Sequence, residues 1–326
     1  MSGVNIDAKV VTLGETMVSF QTPQDGRIQY MPYLAKTLAG AESNVAIGLT
    51  RLGVKTRWIS RLGVDPFGDY IQSVLKGEDV DVAVIRDKEH PTGIMFKEIN
   101  GELDPTIYYY RKHSAASQWN ASEITEEIFA GAELFHFTGI TPALSPQARE
   151  CIFHAVHLAK KQGIKISFDP NMRYKLWGEK EARETFLELA KLSDLILPGL
   201  DEGKLITGET EPDRIAQSLL RLGPKYVVMK LGARGSVLYT TTEHGELEKI
   251  SEPGVEVKRV VDSVGAGDGF AAGFLSSFIE KQSLQQCLRR GNVVGALVTQ
   301  FKGDWENLPT KERMREFCGD GDLKTR

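Results

Sequence analysis

The sequence predicts an α/β fold: a three-layer α/β/α domain around a mostly parallel sheet, with a small separate β-sheet. Three observations carry this. From about residue 120 onward, short apolar runs alternate with amphipathic segments, the pattern of a parallel sheet covered by helices on both faces. Residues 90–113 are rich in β-formers with no helix to cover them. A glycine-rich turn at 265–269 feeds a segment whose apolar residues recur at 270, 274, 275, 278 and 279, which is helical spacing.

The elements follow in order. Val10-Val11-Thr12-Leu13-Gly14-Glu15 reads as a buried strand ending in a turn. Residues 16–35 are polar and broken by Pro23, Gly26 and Pro32. The loose alternation of Ile28, Tyr30 and Tyr33 there predicts short antiparallel strands. Ala39-Gly40-Ala41-Glu42-Ser43-Asn44 leads into a helix over 45–53 that ends on glycine. A strand follows at 56–63, and Asp65-Pro66 opens another helix. Residues 92–99 and 106–111, joined through Asn100-Gly101, read as a hairpin. Strands are then expected at 134–139, 165–169, 194–198 and 226–230, with helices near 146–162 and 179–192. Val260-Val261 reads as a strand end, and helices at about 267–280 and 284–300 close the fold. The domain reading is therefore 1–15, 36–89 and 114–318 for the α/β body, with 16–35 and 90–113 as a β lid. The composition of 319–326 predicts a disordered tail.

Composition narrows the function. At 326 residues with 41% hydrophobic content, the chain can bury a large core. A net charge of −4 without a basic block argues against nucleic acid as the main partner. No apolar run approaches the roughly 18 residues that span a bilayer. Cys151, Cys287 and Cys318 are odd in number and far apart, which suits a reducing cytoplasm better than a disulfide framework. Residues 1–7 lack a basic segment followed by an apolar one, so no signal peptide is expected. His154 and His157 sit three apart but lack a third ligand nearby, which points to a structural role. Cys151 reads as a small packed residue.

The chemistry concentrates in Asp262-Ser263-Val264-Gly265-Ala266-Gly267-Asp268. A glycine-rich turn at a helix N-terminus leaves backbone N–H groups pointing outward, an anion site suited to phosphate. A carboxylate beside such a site makes sense if it takes a proton from a nucleophile attacking that phosphate. The plainer alternative is an N-capping aspartate; Asp262 and the Ala-Ala-Gly continuation weigh against it. Glu15, Asp169, Asn171, Arg173, Glu202, Lys230 and Gly232 all follow expected strands, so they converge on one crevice beyond the strand ends.

On these stretches the chain resembles the ribokinase-like (PfkB) carbohydrate kinases over nearly its whole length. The 262–268 segment matches that family's C-terminal signature, and Ala39, Gly40, Asn44, Ala46, Gly53 and Gly63 match its N-terminal one. Glu42 departs from it, since a small residue is expected there. Gly40-Ala41-Glu42-x-Asn44, Tyr109-Tyr110-Arg111-Lys112, residues 139–146 and Asp169-Pro170-Asn171-Met172-Arg173 look like the 2-keto-3-deoxygluconate kinase branch.

The resemblance implies a ribokinase-like fold and an ATP- and Mg2+-dependent kinase of that sugar acid. Asp268 would be the general base, with the Gly265, Ala266 and Gly267 amides as the anion hole. Gly40, Asn44, Tyr109, Arg111, Ile140, Arg173 and Asp304 would line the sugar site. Lys230, Gly232, Gly235, Asp262 and Asn292 would serve the nucleotide. The family's Asn-x-x-Glu metal motif aligns with Gly199-Leu200-Asp201-Glu202, so its asparagine is missing and Glu202 would act on magnesium through water. A monovalent cation is compatible with the resemblance, and no residue decides it. A neutral-sugar kinase of the fructokinase or ribokinase type, or a sugar-binding regulator without catalysis, are the alternatives. Exposed edges and aromatic residues on the lid favour a homodimer through it.

Overall fold

The computed structural model describes residues 7–101 and 103–318. In chain order the elements are β1 (Val10–Leu13), β2 (Met17–Gln21), β3 (Ala35–Ala39), α1 (Ala41–Arg51), β4 (Thr56–Gly63), α2 (Pro66–Gly77), β5 (Asp81–Asp87), β6 (Ile94–Asn100), β7 (Leu103–Tyr110) and β8 (Leu134–Thr138). There follow α3 (Pro146–Lys161), β9 (Lys165–Asp169), α4 (Glu179–Leu192), β10 (Leu195–Ile196), α5 (Leu200–Thr207), α6 (Pro212–Leu222), β11 (Tyr226–Lys230), β12 (Ser236–Thr241) and β13 (Leu247–Glu252). The last described elements are α7 (Ala266–Ile279), α8 (Leu284–Val298) and α9 (Lys311–Cys318).

The larger sheet has the order β13-β12-β11-β10-β9-β8-β1-β4-β5. It is parallel from β5 to β11, and β12 and β13 are added antiparallel. Alternation explains the two covering layers. Val10, Leu134 and Val228 pack with Val45, Phe270 and Phe274 on one face. Val11, Phe135, Phe137 and Val227 pack with Ile152, Phe186 and Leu219 on the other. Both faces are buried, so these strands read as unbroken apolar runs.

The smaller sheet has the order β3-β2-β6-β7. β6 and β7 form the expected hairpin, and β2 pairs antiparallel with β3. Four local expectations are corrected. Residues 28–30 form a 3-10 turn, not a strand, and the Tyr30 and Tyr33 side chains that suggested alternation are exposed. β3 runs Ala35–Ala39, past the expected lid boundary at 35, and α1 begins at Ala41 rather than 45. Val260 and Val261 lie in irregular chain, tied through the Val261 N–H to Thr299 O at 2.7 Å, so no strand precedes the glycine turn. The 319–326 tail lies outside the described residues.

The chain passes between body and smaller sheet four times, at 14–16, 40, 88–93 and 111–114. These passages meet at Glu15. A Cβ on Gly40 would lie 2.7 Å from the Glu15 backbone oxygen, and one on Gly93 would lie 2.6 Å from Glu15 Oε1. Arg111 and Ser114 bind the Glu15 carboxylate directly.

Candidate active site

Two helices set the centre. α1 and α7 meet where Gly48 faces Ala272: a Cβ on Gly48 would lie 2.6 Å from the Ala272 Cβ. One turn earlier on each helix stand Asn44 and Asp268, on the same face as the contact pair. Asn44 Nδ2 donates to Asp268 Oδ2 at 2.8 Å. Asn171 Nδ2 reaches the other oxygen at 3.4 Å. Asn171 has φ +39°, a conformation asparagine tolerates better than most residues. Burial pushes the Asp268 carboxyl up to about 7, the Asn44 hydrogen bond, Arg173 and Lys230 oppose this, and Asp169 adds to it. Such a carboxyl is matched to proton transfer near neutrality.

Gly265 caps α7 with φ +79°, and a Cβ there would lie 2.3 Å from the Asp304 backbone oxygen. Both facts demand glycine. Gly265→Ala is expected to cost about 2 kcal/mol or more, read as a lower urea midpoint. The Gly269 N–H donates to Gly265 O at 2.8 Å, so the amides before it lie at the open helix end. Of the three expected anion-hole amides, the Ala266 N–H already makes a long bond of 3.3 Å to Ser263 O. Lys230 Nζ lies 3.8 Å from where a Gly267 Cβ would be and pairs with Asp169 Oδ2 at 2.5 Å. Burial works against the Lys230 charge, yet Asp169 and Glu202 keep its pKa above the ordinary value. Ammonium and helix end together favour an anion.

A cavity of about 1320 Å³ opens above this turn. It brings together Gly40, Asn44, Tyr109, Arg111, Ile140, Arg173 and Asp304 with Glu202, Lys230, Gly232, Gly235, Asn292 and residues 265–268. Asp262 does not line it. Its Oδ1 accepts the Val264 N–H at 3.0 Å, and its Oδ2 pairs with Lys97 Nζ at 2.7 Å. Asn292 Nδ2 donates to the carbonyls of Glu252 and Pro253 at 3.2 and 3.0 Å, fastening α8 to the chain after β13.

The two arginines differ. Arg111 is buried, its Nε donates to Glu15 Oε2 at 2.6 Å, and its guanidinium lies 5.4 Å from the Tyr109 ring centre. Arg173 is exposed to the cavity, and among the described residues it donates only to the Met172 carbonyl, at 3.3 Å. Among the described residues no carboxylate forms an ion pair with it.

Glu202 accepts the Met172 N–H at 2.9 Å and the Gly199 N–H at 2.7 Å, so it both faces the cavity and caps α5. A Cβ on Gly199 would lie 3.4 Å from Glu202 Oε2, and Gly199 has φ −71°. Gly199→Asn is therefore expected to fold, with stability unchanged or raised by a few tenths of a kcal/mol, checked by urea denaturation.

Some residues escape a sequence reading. Glu42 is fully buried, and its Oε1 accepts from the Thr138 N–H and hydroxyl and the Thr141 hydroxyl at 3.2, 2.7 and 3.2 Å. Burial raises its pKa. Gly14 makes room for it, since a Cβ there would lie 2.1 Å from Glu42 Cδ. Glu42 thus ties the start of α1 to the loop carrying Ile140. Lys97 belongs to no motif, although period-two alternation with Met95 places it on the inward face of β6. His154 bonds the Ile124 carbonyl and His157 the Phe153 carbonyl. Cys151 is buried, which pushes its thiol up to about 12. Among the described residues no helix is long and apolar enough to cross a membrane.

A carboxyl tuned to neutrality, facing a helix end built for anions beneath a cavity of this size, suits phosphoryl transfer to a hydroxyl. The comparisons agree. The profile of the pfkB family carbohydrate kinases matches residues 7–311. The 2-dehydro-3-deoxygluconokinase of Bacillus subtilis is 43% identical over 94% of this chain and 94% of its own. A fructokinase of Solanum tuberosum is 32% identical over 93% of each. An Escherichia coli protein solved in complex with ATP and Mg2+ is 26% identical with a TM-score of 0.87, covering 96% of this chain and all of its own. The chain belongs to the pfkB family of carbohydrate kinases. It is a sugar kinase with the ribokinase-like fold.

Proposed function

We propose that this kinase transfers the γ-phosphoryl group of ATP to the terminal hydroxyl of 2-keto-3-deoxy-D-gluconate. One observation carries the choice of sugar: Arg173 presents to the cavity a guanidinium that forms an ion pair with no described carboxylate, although its charge reaches Asp268. A sugar acid supplies the carboxylate that such a group grips bidentately. A neutral sugar leaves it unsatisfied. The name of the Bacillus subtilis relative supports the same reading.

Asp268 takes the hydroxyl proton as the sugar oxygen attacks the γ-phosphorus, and the bond from that phosphorus to the bridging oxygen breaks to release ADP. Asn44 and Asn171 hold the base in place. The Gly265 and Gly267 amides and Lys230 face the charge on the transferring group. Gly232, Gly235 and Asn292 belong to the nucleotide side, and Asp304 with Tyr109 and Ile140 to the sugar side. The smaller sheet acts as a lid that keeps water out. Magnesium on the nucleotide would neutralise charge on the phosphate oxygens. Among the described residues no cluster of His, Cys, Asp or Glu is built to hold a metal, and both Glu202 oxygens already accept N–H groups, which suits contact through water.

The test is ADP release from ATP and magnesium with 2-keto-3-deoxygluconate, fructose, ribose or no sugar, in sodium and in potassium salts. Turnover on the keto-acid alone is expected. Turnover on fructose or ribose instead would keep the mechanism and remove the role given to Arg173. The exposed tyrosines at 30, 33, 108 and 110 and the open edges of β3 and β7 support a homodimer through the smaller sheet, in a cytoplasmic enzyme. A monomer in sedimentation at micromolar concentration would count against that dimer.

A further inference from the structure

Lys97 is 1% exposed, an unusual place for an ammonium. It projects from β6 of the smaller sheet between two carboxylates of the body, Asp262 Oδ2 at 2.7 Å and Asp304 Oδ1 at 3.5 Å. Each carboxylate belongs to a stretch that wraps the start of α7. Asp262 holds the Val264 N–H through its other oxygen at 3.0 Å. The Asp304 backbone oxygen is packed against Gly265, where a Cβ would come within 2.3 Å. One side chain from the smaller sheet therefore touches both supports of the catalytic turn.

A second tie points the same way. Thr37 of β3 bonds the Glu306 carboxylate and accepts from Trp305 Nε1 at 3.2 Å. The 304–306 segment is thus fastened to the smaller sheet at two places. The charge balance makes the lysine matter: one buried and one half-buried acid face one ammonium. Without it they would repel, and the supports of the turn would separate.

We propose that Lys97 is a positioning residue, an ammonium on the smaller sheet that sets the phosphate-binding turn through Asp262 and Asp304. Seating of the sheet and assembly of the turn are then one event. The inference rests on the kinase reading given above.

The test uses full-length Lys97→Ala and Lys97→Met. With the sugar that the unsubstituted enzyme phosphorylates, kcat is expected to fall 10- to 100-fold in both, with a smaller change in KM for ATP. n-Propylammonium, which replaces the missing stem and charge, should restore Lys97→Ala at least tenfold with saturation. n-Propanol, of similar shape and no charge, should not, and Lys97→Met should gain nothing. No recovery with the amine, or equal recovery with the alcohol, would overturn the proposal.

Hydrogen exchange of Lys97→Met without sugar supplies an arm independent of turnover. Exchange should quicken in 260–268 and 302–306 as well as in β6. Faster exchange in β6 alone would overturn the proposal. If Lys97→Met does not fold, the same comparison is made on Lys97→Met combined with Asp304→Asn, which leaves one buried acid fewer. If the unsubstituted enzyme acts on no sugar in the panel, the kinase reading fails while the exchange arm still decides the link.

Discussion

Asp268→Asn is expected to lower kcat by about 10²–10⁴-fold while making the protein more stable at pH 8. The two effects have one source. The Asp268 carboxyl is held at a pKa of about 7, first by burial, so its charged form is disfavoured in the fold. The folded-state value lies above the unfolded one. Its proton therefore favours the fold below about pH 4, and that contribution is lost as pH rises to about 7. Above pH 7 the native enzyme carries a buried charge that asparagine lacks. Unfolding free energies from urea denaturation should differ at pH 8 in favour of the variant, on the order of 2–4 kcal/mol, and converge near pH 4. The same ionisation should appear in turnover: kcat/KM of the unsubstituted enzyme should climb to about pH 7 and level off above it. A flat profile from pH 5 to 8, or a variant that keeps full turnover, would remove Asp268 as the base.

The arginines should separate in the opposite way. Arg173→Ala is expected to cost little stability, because among the described residues the exposed guanidinium bonds only a backbone carbonyl. Its kcat/KM for the keto-acid should fall about 10²-fold, the loss of a charge-assisted pair worth roughly 1.5–3 kcal/mol. Arg111→Ala should act first on the fold. It strips the buried Glu15 of the ion pair at 2.6 Å, and breaking a buried pair costs about 3–5 kcal/mol. Glu15→Gln introduced with Arg111→Ala should recover much of that loss, measured by chemical denaturation. If Arg111→Ala is as stable as the parent and loses only keto-acid turnover, the weight given to Arg173 moves to Arg111.

The sequence was most readable where local chemistry and period agree. The 226–230 strand is Tyr226–Lys230 in the structure, and the 262–268 segment does carry the turn that caps a helix. All the expected site residues but Asp262 and Asp169, the latter buried under Lys230, share the cavity, because strand ends and helix starts of a parallel sheet face one crevice. For Asp262, spacing cannot tell whether a carboxylate one turn from a helix faces a ligand or a neighbouring ammonium. Lys97 and Glu42 were beyond local reading for the same reason. Charged residues look solvent-facing in a sequence, and only long-range partners make their burial tolerable. The early start of α1 follows from this too, since Glu42 and Ser43 are polar in sequence but buried in the fold. The 28–33 tyrosines misled in reverse, as alternation on a surface loop imitates a strand.

The four passages that gather at Glu15 have a mechanical meaning. A plate fastened at scattered points cannot move without bending, and one fastened by a single thread can drift anywhere. Four passages of chain gathered at one residue make a knot: Gly40 against its backbone oxygen, and Gly93, Arg111 and Ser114 at its carboxylate. Away from that knot the sheet is held by Lys97 against Asp262 and Asp304, by Thr37 against Glu306, and by Val18 and Leu38 packed into the body's core. Registration of its side chains over the body is thus set by the knot at one end and by these contacts at the other.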